Sequence, residues 1–134
     1  MKYSRFQDVP VWKDAVQVAA DVFRFTLAPV FHGKGDLANQ LQRAALSISN
    51  NIAEGFERQT SRELAQFIHI AKGSAGECLS MCAVMRELDF LHHHLDEIAR
   101  LEIQVYSIMR QLGGWAASQR NGSIEGSRYQ KKGD

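Results

Sequence analysis

Apolar residues at Leu64, Ile68, Ala71, Ala75, Cys78, Cys82 and Met85 recur at intervals of four, three, four, three, four and three. A 3.5-residue period held over three heptads keeps one side of a helix against its neighbours and predicts left-handed, knobs-into-holes packing. Phe67, Ile70, Met81, Val84 and Leu88 give the same helix a second apolar side, more than a single partner helix needs. It is expected either at the centre of a bundle or in an oligomer interface. Its start is marked by Thr60 and Glu63, a capping box in which the hydroxyl serves the N3 amide and the carboxylate reaches back to the cap amide. The spacing predicts a helix over 61–91.

Three more helices follow from the same logic. Asp8 as N-cap, with Pro10 tolerated in the first turn, opens a helix over about 9–28. Its stripe is Trp12, Ala15, Ala19, Val22 and Thr26, widened by Val16 and Phe23, and Pro29, Gly33 and Gly35 end it. Asp36 caps a helix over 36–54 with the stripe Leu37, Leu41, Ala45, Ile48 and Ile52, and Gly55 stands at its C′ position. Asp96 and Glu97 favour a helix N-terminus, and Leu95, Ile98, Leu101, Val105, Ile108 and Leu112 carry a stripe over 94–112 to Gly113-Gly114, with fraying on to Ser118. No stretch alternates as a strand and no internal repeat is present. Four long helices joined by short loops predict an all-α, antiparallel up-down-up-down four-helix bundle over 1–118. The stretch 119–134 is rich in Gly, Ser and charge and is expected to be a disordered tail.

A chain of 134 residues suits one domain and buries roughly two-thirds of its unfolded surface without disulfides or metals. Its apolar runs are far shorter than the roughly 20 residues that span a bilayer. Met1-Lys2-Tyr3-Ser4-Arg5-Phe6 lacks the apolar core of a secretory signal, so a cytoplasmic location is expected. Cys78 and Cys82 sit on the apolar stripe and read as buried small hydrophobes, not as a disulfide or metal pair. The His92-His93-His94 triplet reads as a loop, since consecutive side chains diverge and no partner has ligand spacing. No metal and no cofactor is expected. The net charge of +1 supplies no global field toward nucleic acid.

The ordered blocks Asp8-Val9-x-Val11-Trp12-Lys13-x-Ala15, Gln40-Leu41-x-Arg43-Ala44-Ala45-x-Ser47-Ile48, Asn51-Ile52-Ala53-Glu54-Gly55 and Phe67-x-x-Ile70-Ala71-x-Gly73-Ser74-x-x-Glu77 cover residues 8–91 together with the helices that carry them. Together they resemble a bacterial four-helix-bundle family. It includes proteins encoded within intervening sequences of large-subunit ribosomal RNA genes, and the accessory variability determinant of diversity-generating retroelements. The resemblance implies a small cytoplasmic protein that assembles into a ring, typically a homopentamer, without known catalytic activity. For the retroelement members it further implies binding to nucleic acid, RNA or DNA, and to a reverse transcriptase. Asn51, Glu54, Gly55, Gly73, Ser74 and Glu77 form the structural signature. Gln42 stands where the family usually has a second arginine, and Ser49 replaces a frequent proline.

Two surface features compete for function. Asn39, Arg43, Ser47, Asn50 and Glu54 align along one side of their helix, either as a recognition surface or as ion-pair and capping groups toward a neighbour, for instance through Glu77. Around the turn that follows, Arg58, Arg62 and Lys72, with Arg43 and more loosely Lys34, are the basic candidates for nucleic acid. Repeated round a ring they would form a basic circle. Gly73, Ser74, Ala75 and Gly76 make one turn small on every side, which suggests close approach of another backbone and loss of packing or assembly on substitution of either glycine by leucine. No nucleophile beside a base, no paired carboxylates and no phosphate-cradling loop is present, so no enzyme is expected.

Overall fold

The computed structural model describes residues 3–120, with side chains through 118. Its four helices are α1 (Pro10–Thr26), α2 (Gly35–Phe56), α3 (Ser61–Arg86) and α4 (Leu95–Arg120). Each packs on its sequence neighbours, and α1 against α4 closes the bundle. Cross-helix bonds fix the directions. Asp21 meets Gln104 while Asp14 meets Gln111, so α1 and α4 run antiparallel, as do α2 and α3 through Ser47–Ser74 and Gly55–Phe67. No strand occurs among the described residues, and no helix is long and apolar enough to cross a membrane.

The core follows the stripes. All seven members of the heptad run in α3 are buried, and so are Leu41, Ala45, Ile48 and Ile52 of α2 and Ile98, Leu101, Val105, Ile108 and Leu112 of α4. Each large side chain fully buried in this way contributes roughly 1.5–3 kcal/mol. α1 departs from the expected stripe. Val11 and Val18 are buried, whereas Val16 and Phe23 stand partly in solvent. The second apolar side of α3 is only partly covered: Met81 and Leu88 pack against the core, but Ile70 is 49% and Val84 51% exposed, so α3 occupies an ordinary corner of the bundle and not its centre.

Helix ends differ from expectation for identifiable reasons. The N-cap of α1 is Val9 in extended conformation, and Asp8 instead closes a 3-10 turn at Phe6–Asp8. At its other end α1 stops at Thr26, whose hydroxyl donates to the Val22 carbonyl, and Pro29 holds Ala28 extended. Lys34 caps α2, which places Asp36 inside the first turn. α3 ends at Arg86, not at 91, because Leu88 turns extended and Asp89–His94 form a 3-10 turn that drives Leu91 into the core. Neither glycine of Gly113-Gly114 ends α4. Both are helical, and Trp115 and Ala116 continue the stripe against the core, carrying the helix to Arg120. The rest of the expected tail, 121–134, lies outside the described residues.

Candidate nucleic-acid interface and the hairpin seam

Asn51, Gly55 and Ser74 of the signature meet at the α2–α3 seam. Asn51 donates from Nδ2 to the Ser47 carbonyl at 2.7 Å and to Ser47 Oγ at 2.9 Å, and Ser74 Oγ lies 2.8 Å from Ser47 Oγ across the helix pair. Three short polar side chains thus satisfy one another where the two backbones come close, and Ser74 is buried. Two turns further along α2, Gly55 is not a C′ residue: it is helical, buried and followed by Phe56 and the C-cap Glu57. A Cβ on Gly55 would stand 2.8 Å from Phe67 Cβ and 3.2 Å from Leu64 Cδ1. Glycine is therefore required by contact, not by backbone conformation.

The turn below the seam is a charged clasp. Glu54 pairs with Arg58, whose guanidinium carbon lies 4.7 Å from the centroid of the Phe67 ring, a cation–π arrangement. Arg58 Nε is buried without a hydrogen-bond partner. Thr60 accepts from the Glu63 amide at 3.1 Å, as the capping box requires, but its hydroxyl donates to the Glu63 carboxylate at 3.2 Å.

The four basic candidates do not form one patch. Arg58 is engaged by Glu54 and Phe67. Arg43 and Arg62 are exposed and make no ion pair among the described residues. Lys72 sits two residues, about 200°, round α3 from the α2-facing Ser74, and about four turns before Arg86, which faces α4. Arg43, one turn before the α3-facing Ser47 of α2, is accordingly separated from Lys72, which stands on the side of α3 turned away from α2. The expected pairing of Arg43 and Glu54 through Glu77 does not form within the chain. Glu77 and Gly73 are exposed, and a Cβ on Gly73 or Gly76 would meet nothing within 4 Å. The close backbone neighbour expected at those glycines is absent among the described residues. Gln42 donates to Thr26 at 2.9 Å, tying α2 to α1.

A polar ladder in the α1–α4 seam has no counterpart in the sequence reading. Gln104 donates to Asp21 at 3.0 Å and Gln111 to Asp14 at 2.9 Å. The signal was present as two seven-residue spacings, Asp14 to Asp21 and Gln104 to Gln111. Partial burial pushes the Asp21 carboxyl up, but hydrogen bonds from Gln104, Gln17 and Arg24 outweigh it and hold the group below its ordinary value. Between α3 and α4, Arg86 grips Glu102 with two bonds of 2.9 and 2.6 Å, which hold Glu102 below the usual carboxylate range.

The remaining reactive groups are quiet. Burial pushes the Cys78 and Cys82 thiols up to about 12, far from the thiolate that reacts or binds metal. No three His, Cys, Asp or Glu residues gather as a metal site among the described residues. His92 and His93 are exposed, and His94 points to Glu97 at 3.3 Å.

The order and identity of the hairpin residues place the chain in context. Residues 7–114 match the model of the 23S rRNA-intervening sequence protein family. The chain belongs to that family. Its match runs through all four helices, so membership accounts for the bundle as a whole and for the hairpin seam within it. No curated protein matches the chain.

Proposed function

We propose that this protein is a non-catalytic cytoplasmic module that assembles with itself, as a ring of five, and contacts RNA or DNA through side chains repeated around that ring. The observation that carries the assembly is the apolar surface left over. Leu27 is 79% and Ile103 71% exposed, and Phe23, Leu46, Ile70, Val84 and Tyr106 add large apolar side chains on all four helices. For nucleic acid, the support is Arg43, Arg62 and Lys72, cations without an ion pair in the described chain, which a ring would multiply. Within the signature, Gly55 and Ser74 are occupied in holding α2 to α3, with Asn51 bonded to Ser47 beside them, which favours a structural role for these three over a catalytic one. A reverse transcriptase is the protein partner that the retroelement branch of the family suggests.

A second reading, a protein-interaction scaffold without nucleic-acid contact, is favoured by the dispersal of the cations and the net charge of +1. Light scattering coupled to size exclusion, with and without a short RNA, at low and high salt, separates the two. The first reading expects a pentamer that shifts with RNA at low salt only, because phosphate contacts release counterions and weaken steeply with salt. A pentamer indifferent to RNA selects the scaffold, and a monomer removes both.

A further inference from the structure

Between the C-terminal half of α1 and the N-terminal half of α4 lies a cleft of about 470 Å³. That volume falls within the roughly 300–1,000 Å³ of small-molecule sites. Val22, Phe25, Ala28 and Leu101 give it an apolar floor, while Asp21, Arg24, Glu97 and Arg100 bring charge to it. Three of those four charges are already answered. Asp21 accepts from Gln17, from Gln104 and, at 2.9 Å, from Arg24, which it holds in place, and Glu97 lies 3.3 Å from His94 Nδ1. Arg100, exposed like Arg24, is the one of the four with no hydrogen bond or ion pair among the described residues.

A guanidinium presents a planar fork that matches a carboxylate with two parallel bonds. Here that fork stands beside an aromatic ring and aliphatic side chains. We propose that the cleft binds a small organic monoanion, a carboxylate on a short aromatic or aliphatic body, with the carboxylate on Arg100 and the body over Phe25 and Leu101. The two carboxylates of the wall set the selectivity: a second negative charge on the ligand meets Asp21 or Glu97, so a dianion binds more weakly than a monoanion. The opening beside Gly33 and Leu37 is the weaker alternative, because its cation, Lys34, already sits 4.9 Å over the Phe90 ring. The proposal is independent of assembly and of nucleic-acid contact.

Titration of the full chain with sodium benzoate, followed by amide NMR shifts, tests it. Saturable shifts clustered at residues 21–28 and 97–104 are expected, weaker with phthalate and with uncharged benzyl alcohol. Arg100→Gln, at an exposed position, is expected to weaken benzoate binding about tenfold, the worth of a charge-assisted bond. Ala28→Trp, which fills the floor and keeps every charge, is expected to abolish binding with the circular dichroism of the bundle unchanged. Non-saturating or scattered shifts, or equal binding by Arg100→Gln and the unaltered chain, overturn the proposal.

Discussion

The α2–α3 and α1–α4 seams solve the same packing problem with opposite materials. The first brings backbones together: glycine at 55, serines at 47 and 74, and Asn51 bridging, with Leu64 and Phe67 pressed against the bare Cα of Gly55. The second keeps its helices apart at the rim, links them by long side chains from Asp and Gln, and leaves a cleft at one end. A close seam is specific and intolerant, because no atom there can move without moving a helix. A laddered seam is forgiving, since each rung is partly wet and each side chain has other rotamers.

The comparison breaks if truncating the close seam costs little. Leu64→Ala removes a fully buried side chain from that seam, and a loss of about 2–5 kcal/mol in urea unfolding is expected. Gly55→Ala is next. Its new methyl meets Phe67 Cβ, an atom tied to the backbone, so α3 itself must shift, at about 1–3 kcal/mol. An unaltered unfolding midpoint for Gly55→Ala would mean that the helices are not in contact there.

One hydrogen bond from each seam sharpens the contrast. Ser74→Ala removes the buried hydroxyl that bridges the two helices, leaving Ser47 bonded to Asn51 alone, and is expected to cost about 1 kcal/mol. Gln104→Ala removes a rung that is partly solvated and is expected to cost about 0.5 kcal/mol at pH 7. The rung also carries a pH signature. Asp21 is held below its ordinary value, so its contribution is complete above the unfolded value near 3.8 and is lost as pH falls through the folded one. The gap in stability between the unaltered chain and Gln104→Ala should hold constant down to about pH 5 and close below about pH 4, whereas the Ser74→Ala gap, lacking a titrating partner, should persist.

The two seams were also unequally legible. The heptad run of α3 announced its buried face residue by residue, because a long apolar period leaves one face for the core. Flanks were harder: Val16 and Phe23 widen the α1 stripe toward a side that no helix covers, and the width of a stripe does not say where the neighbour sits. Glycines misled as helix ends. Gly55 looked like a stop and is a contact, and Gly113-Gly114 looked like a stop although Trp115 keeps the helix anchored. The end of α3 has neither Gly nor Pro, so only the burial of Leu91 reveals why the chain turns. The ladder stayed invisible because Asp and Gln on a heptad read as solvated surface until the register pairs them. Basic residues grouped around one turn were dispersed by helix phase, which puts Lys72 on the side of α3 turned away from α2.

Gly73 tests whether the uncovered flank of α3 belongs to the protomer or to an assembly. Within the chain a Cβ there meets nothing, and its φ is helical, so the only effect of alanine is to remove glycine's excess unfolded-state freedom. Gly73→Ala is therefore expected to stabilise the isolated protomer by about 0.5–1 kcal/mol in thermal melts at low concentration. Gly73→Leu, at an exposed position with room for its Cβ, should still fold while dissociating any assembly that packs a neighbouring helix on this face. Destabilisation of the dilute protomer by alanine would instead mean that α3 has a contact at Gly73 within its own bundle, and would give the small-residue turn a packing role inside the protomer.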